Sequence, residues 1–244
     1  MCPAQKAIGY QFDGGFAEYL HVPADVLAVD GLHRIPDGVG YAEASLAEPL
    51  ACVINGQELV GINSGDTVVV IGAGPVGCLH AGLARARGAA KVILVDVRAE
   101  RLQMAAAFGA DVAIDGSRED VRARVLDETA GAGAAVVIVA APSNRAQEQA
   151  ITLAARRGRI SFFGGLPKSA PIIALDANAV HYQELTIVGS YGSRPEHNRQ
   201  ALDLVASGRL PIRHLVGLEL PLDRVLDGLL AVEQGDVMKV VVRP

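Results

Sequence analysis

Apolar residues fall in short β-branched runs through the middle of the chain, separated by stretches with helical spacing. Val68–Ile71, Lys91–Val95, Val112–Ile114, Ala135–Ala140, Arg159–Phe163 and Leu185–Val188 read as strands. Such runs, apolar on both faces, are the mark of buried parallel strands. Between them, Ala99–Phe108 reads as a helix stopped by Gly109, Glu119–Thr129 as an amphipathic helix with Val121, Val125 and Leu126 on one face, and Ala146–Ala155 as a third. Six strands alternating with helices predict an α/β fold with a doubly wound parallel sheet. Ligands of such sheets bind at the carboxyl ends of the strands, here around Gly72, Asp96, Ala141, Gly164 and Ser190.

The flanks have a different pattern. Residues 1 to 47 read as turns at Asp13-Gly14-Gly15 and Pro36-Asp37-Gly38 with a strand over Phe16–Val22. Residues 195 to 244 read as helices over Glu196–Ala206 and Leu222–Glu233 followed by a strand over Lys239–Val242. This organisation predicts an NAD-binding domain over residues 51–191, with residues 1–50 and 192–244 returning to one second unit.

Chemistry enters at the first strand. Gly72, Gly74 and Gly77 form G-x-G-x-x-G, with Pro75 and Val76 inside it. The first glycine permits a tight turn, the second lets backbone approach a pyrophosphate, and the third lets helix and strand pack closely. The helix N-terminus offers free N–H groups to that phosphate. Asp96 ends the second strand, nineteen residues after Gly77. A carboxylate there accepts from a ribose diol and repels a 2′-phosphate, which predicts NAD over NADP, although Arg98 is near enough to receive a 2′-phosphate.

Composition narrows the picture. The 244 residues are 50% hydrophobic and 20% charged, enough for a sizeable core. A net charge of −5 without a basic block leaves no electrostatic footprint for nucleic acid. The longest apolar runs are too short to cross a bilayer. Three separated cysteines, Cys2, Cys52 and Cys78, fit a reduced, cytoplasmic protein, with Cys52 and Cys78 as small core residues. The six histidines show no ligand spacing and read as surface or packing residues. No nucleophile elbow is present, so hydrolase chemistry has no support.

Six motifs carry a family resemblance in order: GGFAEY (14–19), IPDG (35–38), LAEPLA (46–51), GDTVVVIGAGPVG (65–77), RLQMAAAFGAD (101–111) and GSYGS (189–193). The chain resembles zinc-dependent medium-chain dehydrogenases along essentially its whole length. The EPLA and GSYGS forms are most similar to the sorbitol or L-iditol branch, with threonine dehydrogenases near. The resemblance implies hydride transfer from a secondary alcohol or polyol to NAD by a homo-oligomer, dimer or tetramer. It places Val76 and Arg101 in the NAD pocket, Phe163, Gly164, Gly165, Ser190 and Tyr191 at the nicotinamide, and Tyr191 within reach of substrate. Lys239 would approach the pyrophosphate or stand exposed.

The departure from that family is in the front segment. There a GroES-like domain supplies a Cys and a His-Glu pair to a catalytic zinc and carries a cysteine-rich lobe for a second zinc. Cys2-Pro3 sits where the last cysteine of that lobe would be, so Met1 reads as a start inside it. Glu48 stands at the family's acidic position near the metal, or is only a helix-start acid beside Pro49. Zinc needs three protein ligands, so the chain is expected to bind NAD but not to retain zinc, and to turn over alcohols poorly. Two alternatives stay open: an inactive NAD-binding or interaction module, and a zinc-independent quinone or enoyl reductase, against which EPLA and GSYGS argue.

Overall fold

The computed structural model describes residues 6–244. The position inferred for Cys2 therefore lies outside the described residues. Before the sheet come α1 (Ala24–Ala28), α2 (Tyr41–Ala44) and α3 (Ala47–Val60). The central succession is β1 (Thr67–Ile71), α4 (Pro75–Ala86), β2 (Lys91–Asp96), α5 (Ala99–Met104), β3 (Val112–Asp115), α6 (Val121–Glu128), β4 (Ala134–Val139), α7 (Asn144–Leu153), β5 (Ala154–Phe162), α8 (Ala177–Tyr182) and β6 (Thr186–Gly189). After it come α9 (Pro195–Ala206), β7 (Val216–Pro221), α10 (Val225–Gln234) and β8 (Lys239–Arg243).

The six central strands form one parallel sheet in the order β3-β2-β1-β4-β5-β6. The order reverses between β1 and β4, which opens a crevice at their carboxyl ends. The chemistry of the strands explains why the sheet is buried on both sides. Val68, Val70, Val92, Leu94, Val136 and Ile138 face a core shared with α3, α4 and α9. Val69, Ile93, Val137, Val139 and Ile160 face a second core under α6 and α7. Successive side chains on a strand alternate between these layers. Removing both faces from water contributes about 25 cal/mol per Å² of apolar surface and is the main stabilising term.

Each strand read in the middle of the chain is present. Gly109 ends its helix with φ +73° after a 3-10 turn at Ala105–Phe108. The third helix stops at Leu153, and β5 begins directly at Ala154, where a helix had been expected to continue. β5 takes up extra residues against β4 at an irregularity between Ala134 and Val136, with Arg157 at φ +60°.

The flanks required correction. Phe16–Val22 forms no strand; the isolated bridge nearby joins Ile8 and Phe12. A strand persists by pairing its backbone groups, and this segment has no paired neighbour; Phe16 and Tyr19 are exposed. At the other end, β7 was not anticipated. It pairs in parallel with β8 in a separate two-stranded sheet. Gly217 interrupts its alternation, and Val237 fills the space a side chain there would need. On the first face of the sheet α3 packs against both α9 and α4.

Candidate dinucleotide site

The glycine turn between β1 and α4 is built as its spacing predicts. Gly72 has φ +107°, and its N–H donates to the Val95 carbonyl at 2.7 Å. A side chain on Gly77 would overlap the Gly72 carbonyl oxygen, so only glycine lets α4 start this close to β1. Gly74 instead faces open space, with no atom within 4 Å of where a Cβ would stand. That bare backbone can be approached by a phosphate. Pro75, at the first helical position, has no N–H to leave unpaired. The amides of Val76 and Gly77 follow in the first turn, at the positive end of a twelve-residue helix.

Asp96 closes β2 beside this turn. Its Oδ2 accepts from the Ala73 N–H at 2.7 Å and its Oδ1 from the Arg98 N–H at 2.9 Å. The carboxylate is thus fixed at the rim of a hollow lined by Gly72, Asp96, Val97, Gly116, Ser143 and Arg145. Gly116 follows β3, Ser143 caps the start of α7 and Arg145 lies in its first turn. These members were not singled out from sequence. Their only signal was position: each follows the carboxyl end of a strand next to the crevice. The Arg98 side chain does not join them. Its guanidinium packs against Gly235 at the end of α10.

Arg101 and Lys239 lie on the other side of the turn. Arg101 Nη1 is 3.2 Å from the Met238 Sδ. Met238 and Lys239 line an apolar groove with Pro75, Phe16, Val240 and Leu229. Arg101 therefore faces the C-terminal segment rather than the hollow beside Asp96.

Of the residues read as the nicotinamide end, Phe163 and Ser190 meet at α3. Phe163 and Gly164 both donate their N–H groups to the Val139 carbonyl, at 3.1 and 2.8 Å, where β5 leaves the sheet. A side chain on Gly164 would press into the Ala141 carbonyl, whereas Gly165 faces open space. The Phe163 ring meets His80 edge-to-face, with centroids 4.5 Å apart. Ser190 Oγ is buried without a hydrogen-bond partner, while Tyr191 is 71% exposed. Asn55 Nδ2 donates to the Gly192 carbonyl at 2.9 Å, tying the loop to α3.

Glu48 stands exposed in the first turn of α3, where the helix dipole favours an acid. Its Oε1 accepts from Cys52 Sγ at 3.2 Å. Burial, together with the Glu48 charge and hydrogen bond, pushes the Cys52 thiol up to about 12, against an opposing hydrogen bond to Ser193. Cys52 is thus half-buried and paired, not the core residue expected, while Cys78 is buried under the glycine turn with its thiol also pushed up to about 12 by burial. Among the described residues, no group of three His, Cys, Asp or Glu side chains could hold a metal ion. A catalytic zinc needs three such ligands and an open position. The donor set around Glu48 does not fit one.

His80 and His197 are packing residues, as their spacing implied. His80 is fully buried, and burial followed by the charge of Arg87 lowers its pKa to about 3. His197 accepts from the Arg194 N–H at the start of α9, and its Nε2 lies 3.0 Å from Glu58.

Together, the sheet order, the glycine turn and the acid-rimmed hollow define a Rossmann-type dinucleotide-binding oxidoreductase fold. Residues 75–207 match the family of zinc-binding dehydrogenases. The chain belongs to that family, the zinc-type medium-chain alcohol and polyol dehydrogenases, and is an oxidoreductase by family. A sorbitol dehydrogenase of Halalkalibacterium halodurans is 31% identical over 100% of this chain and 69% of its own length. An L-threonine 3-dehydrogenase of Bacillus subtilis is 31% identical over 100% of this chain and 68% of its own. Among solved structures, an NADP-bound zinc-binding dehydrogenase of Sinorhizobium meliloti superposes with a TM-score of 0.89 at 32% identity. An alcohol dehydrogenase of E. coli complexed with NADH gives 0.89 at 26%. Both alignments cover 100% of this chain and 70% of the other. Among the described residues, no helix is long and apolar enough to cross a membrane.

Proposed function

We propose that this chain binds NAD in the β1/β4 crevice and belongs to an oxidoreductase that moves hydride between a secondary alcohol, of the polyol class, and NAD. The observation that carries the reading is the Asp96 carboxylate, held by two backbone N–H groups at the rim of the hollow. In that place it accepts from a ribose diol and repels a 2′-phosphate. The turn from Gly72 to Gly77 would cradle the pyrophosphate. Phe163, Gly164, Gly165, Ser190 and Tyr191 would flank the nicotinamide, with Tyr191 and Glu48 toward the substrate. Arg101 would reach the cofactor from the Met238 side. When bound, NAD supplies the hydride acceptor. What the chain supplies is orientation: Phe163 and α3 wall the nicotinamide end, and Asp96 fixes the adenosine end.

The chemistry of the donor set separates binding from turnover. Glu48 and Cys52 are one ligand short of a zinc site among the described residues, and alcohol activation is assigned to none of them. Residues 1–50 and 192–244 are read as the second unit, built around the β7–β8 sheet. Fluorescence titration of the 244-residue chain with NADH and NADPH tests the binding half; a preference for NADPH overturns it. NAD reduction with sorbitol, threonine and simple alcohols at saturating zinc tests the other. Little or no turnover is expected, and robust zinc-dependent turnover overturns that part.

A second reading, an NAD-binding interaction module, is favoured by one feature. Leu226, Leu229 and Leu230 of α10 are each at least half exposed, an unusual face for a free monomer. Size-exclusion chromatography with metal analysis tests it: a well-behaved zinc-free NAD-binding oligomer favours the module, and aggregation counts against it.

A further inference from the structure

Gly56 stands in the interior of the fourteen-residue helix α3. A glycine there costs about 1 kcal/mol relative to alanine, and neither a turn nor a positive φ requires it. Its surroundings supply the reason. A Cβ on Gly56 would come within 2.8 Å of Phe163 Cδ2, 3.0 Å of Phe163 Cε2 and 3.2 Å of Ser190 Oγ. Those atoms follow the ends of β5 and β6, strands paired side by side at Phe162 and Gly189, and α3 packs against both.

The neighbouring residues complete a socket. His80 of α4 receives the edge of the Phe163 ring. Gln57 Nε2 donates to the His80 carbonyl at 2.8 Å and locks α3 to α4. Asn55 holds the Gly192 carbonyl from the other side of Gly56. Three consecutive residues of α3 thus hold the ring of Phe163, the side chain of Ser190 and the backbone of Gly192.

We infer that Asn55 and Gly56 are positioning residues for the nicotinamide half of the dinucleotide, acting through Phe163 and the 190–192 loop. This inference rests on the proposed cofactor reading and deepens it. The adenosine half, built from β2, β3 and α7, makes no use of α3. The two halves of the ligand should therefore respond separately to changes in the helix.

The test uses the full chain with two probes: NADH, which carries the nicotinamide, and ADP-ribose, which lacks it. Gly56→Ala forces the ring and the serine aside, and NADH affinity is expected to fall about tenfold. Asn55→Ala removes one hydrogen bond and should cost about fivefold. ADP-ribose affinity should stay within about twofold in both. The emission of bound NADH should also move toward that of free NADH. If Gly56→Ala does not fold, Asn55→Ala decides alone. Unchanged NADH affinity, or an equal loss for NADH and ADP-ribose, overturns the inference. A parent chain that binds neither probe overturns the cofactor reading itself, and that outcome is read before any variant is made.

Discussion

The two ends of the crevice are made differently. At the adenosine end the working parts are local: a glycine turn, the acid that closes the next strand, and the first turns of two helices. Each is held by its own backbone, as Asp96 is by the amides of Ala73 and Arg98. At the nicotinamide end, packing between elements adds to the sheet pairing. Phe163 and Ser190 follow the paired ends of β5 and β6 and pack against α3 at Gly56, with His80 of α4 against the ring. The first end is specified by turn chemistry and tolerates little substitution at single points. The second is specified by packing between distant segments, and its errors should be graded.

The largest effect is expected at the glycine turn. Gly77→Ala places a Cβ on the Gly72 carbonyl oxygen, so α4 must shift away from β1. NADH and ADP-ribose binding should both vanish from isothermal titration, with a stability loss of about 3 kcal/mol in urea denaturation. Retained binding of either probe would break the contrast, because it would show the turn to be as forgiving as the packed end. Next comes Asp96→Ala, which removes the charged acceptor of the ribose diol. NADH should weaken about 10- to 100-fold, while NADPH weakens less, since the repulsion of a 2′-phosphate goes too. A ratio of the two dissociation constants that does not move would take the discrimination away from Asp96.

The same division governs what could be read before the structure. The central strands announced themselves because parallel strands buried on both faces need uninterrupted apolar runs, and the glycine turn because its spacing serves one geometry. Asp96 followed from its distance past Gly77. Gly164 and Ser190 were legible as strand carboxyl ends, while Phe163, Gly165 and Tyr191 came from a family likeness. Gly56 carried no signal: a lone glycine in a helical stretch reads as a weak helix former until the ring it accommodates is seen. Phe16–Val22 erred for the related reason that a strand pattern says nothing about whether a partner strand is there. β7 was missed because Gly217 breaks the alternation that marks a strand.

The smallest effect expected is also the one that isolates the packed end. His80 sits beneath Phe163 with its pKa lowered to about 3 by burial and by Arg87, against about 6.5 in an unfolded chain. Its folded form thus stays neutral where the unfolded form takes a proton. Between those two values the unfolded state binds more protons, so stability falls as pH falls. The contribution is fully present above about pH 6.5 and is lost progressively toward pH 3, at up to about 1.4 kcal/mol per pH unit from this group. His80→Asn should remove that part of the slope in urea denaturation series between pH 6 and pH 4, whatever it does to stability at pH 7. An identical slope in parent and variant would mean that His80 is not held neutral, and the socket beneath Phe163 would then be looser than its edge-to-face geometry requires.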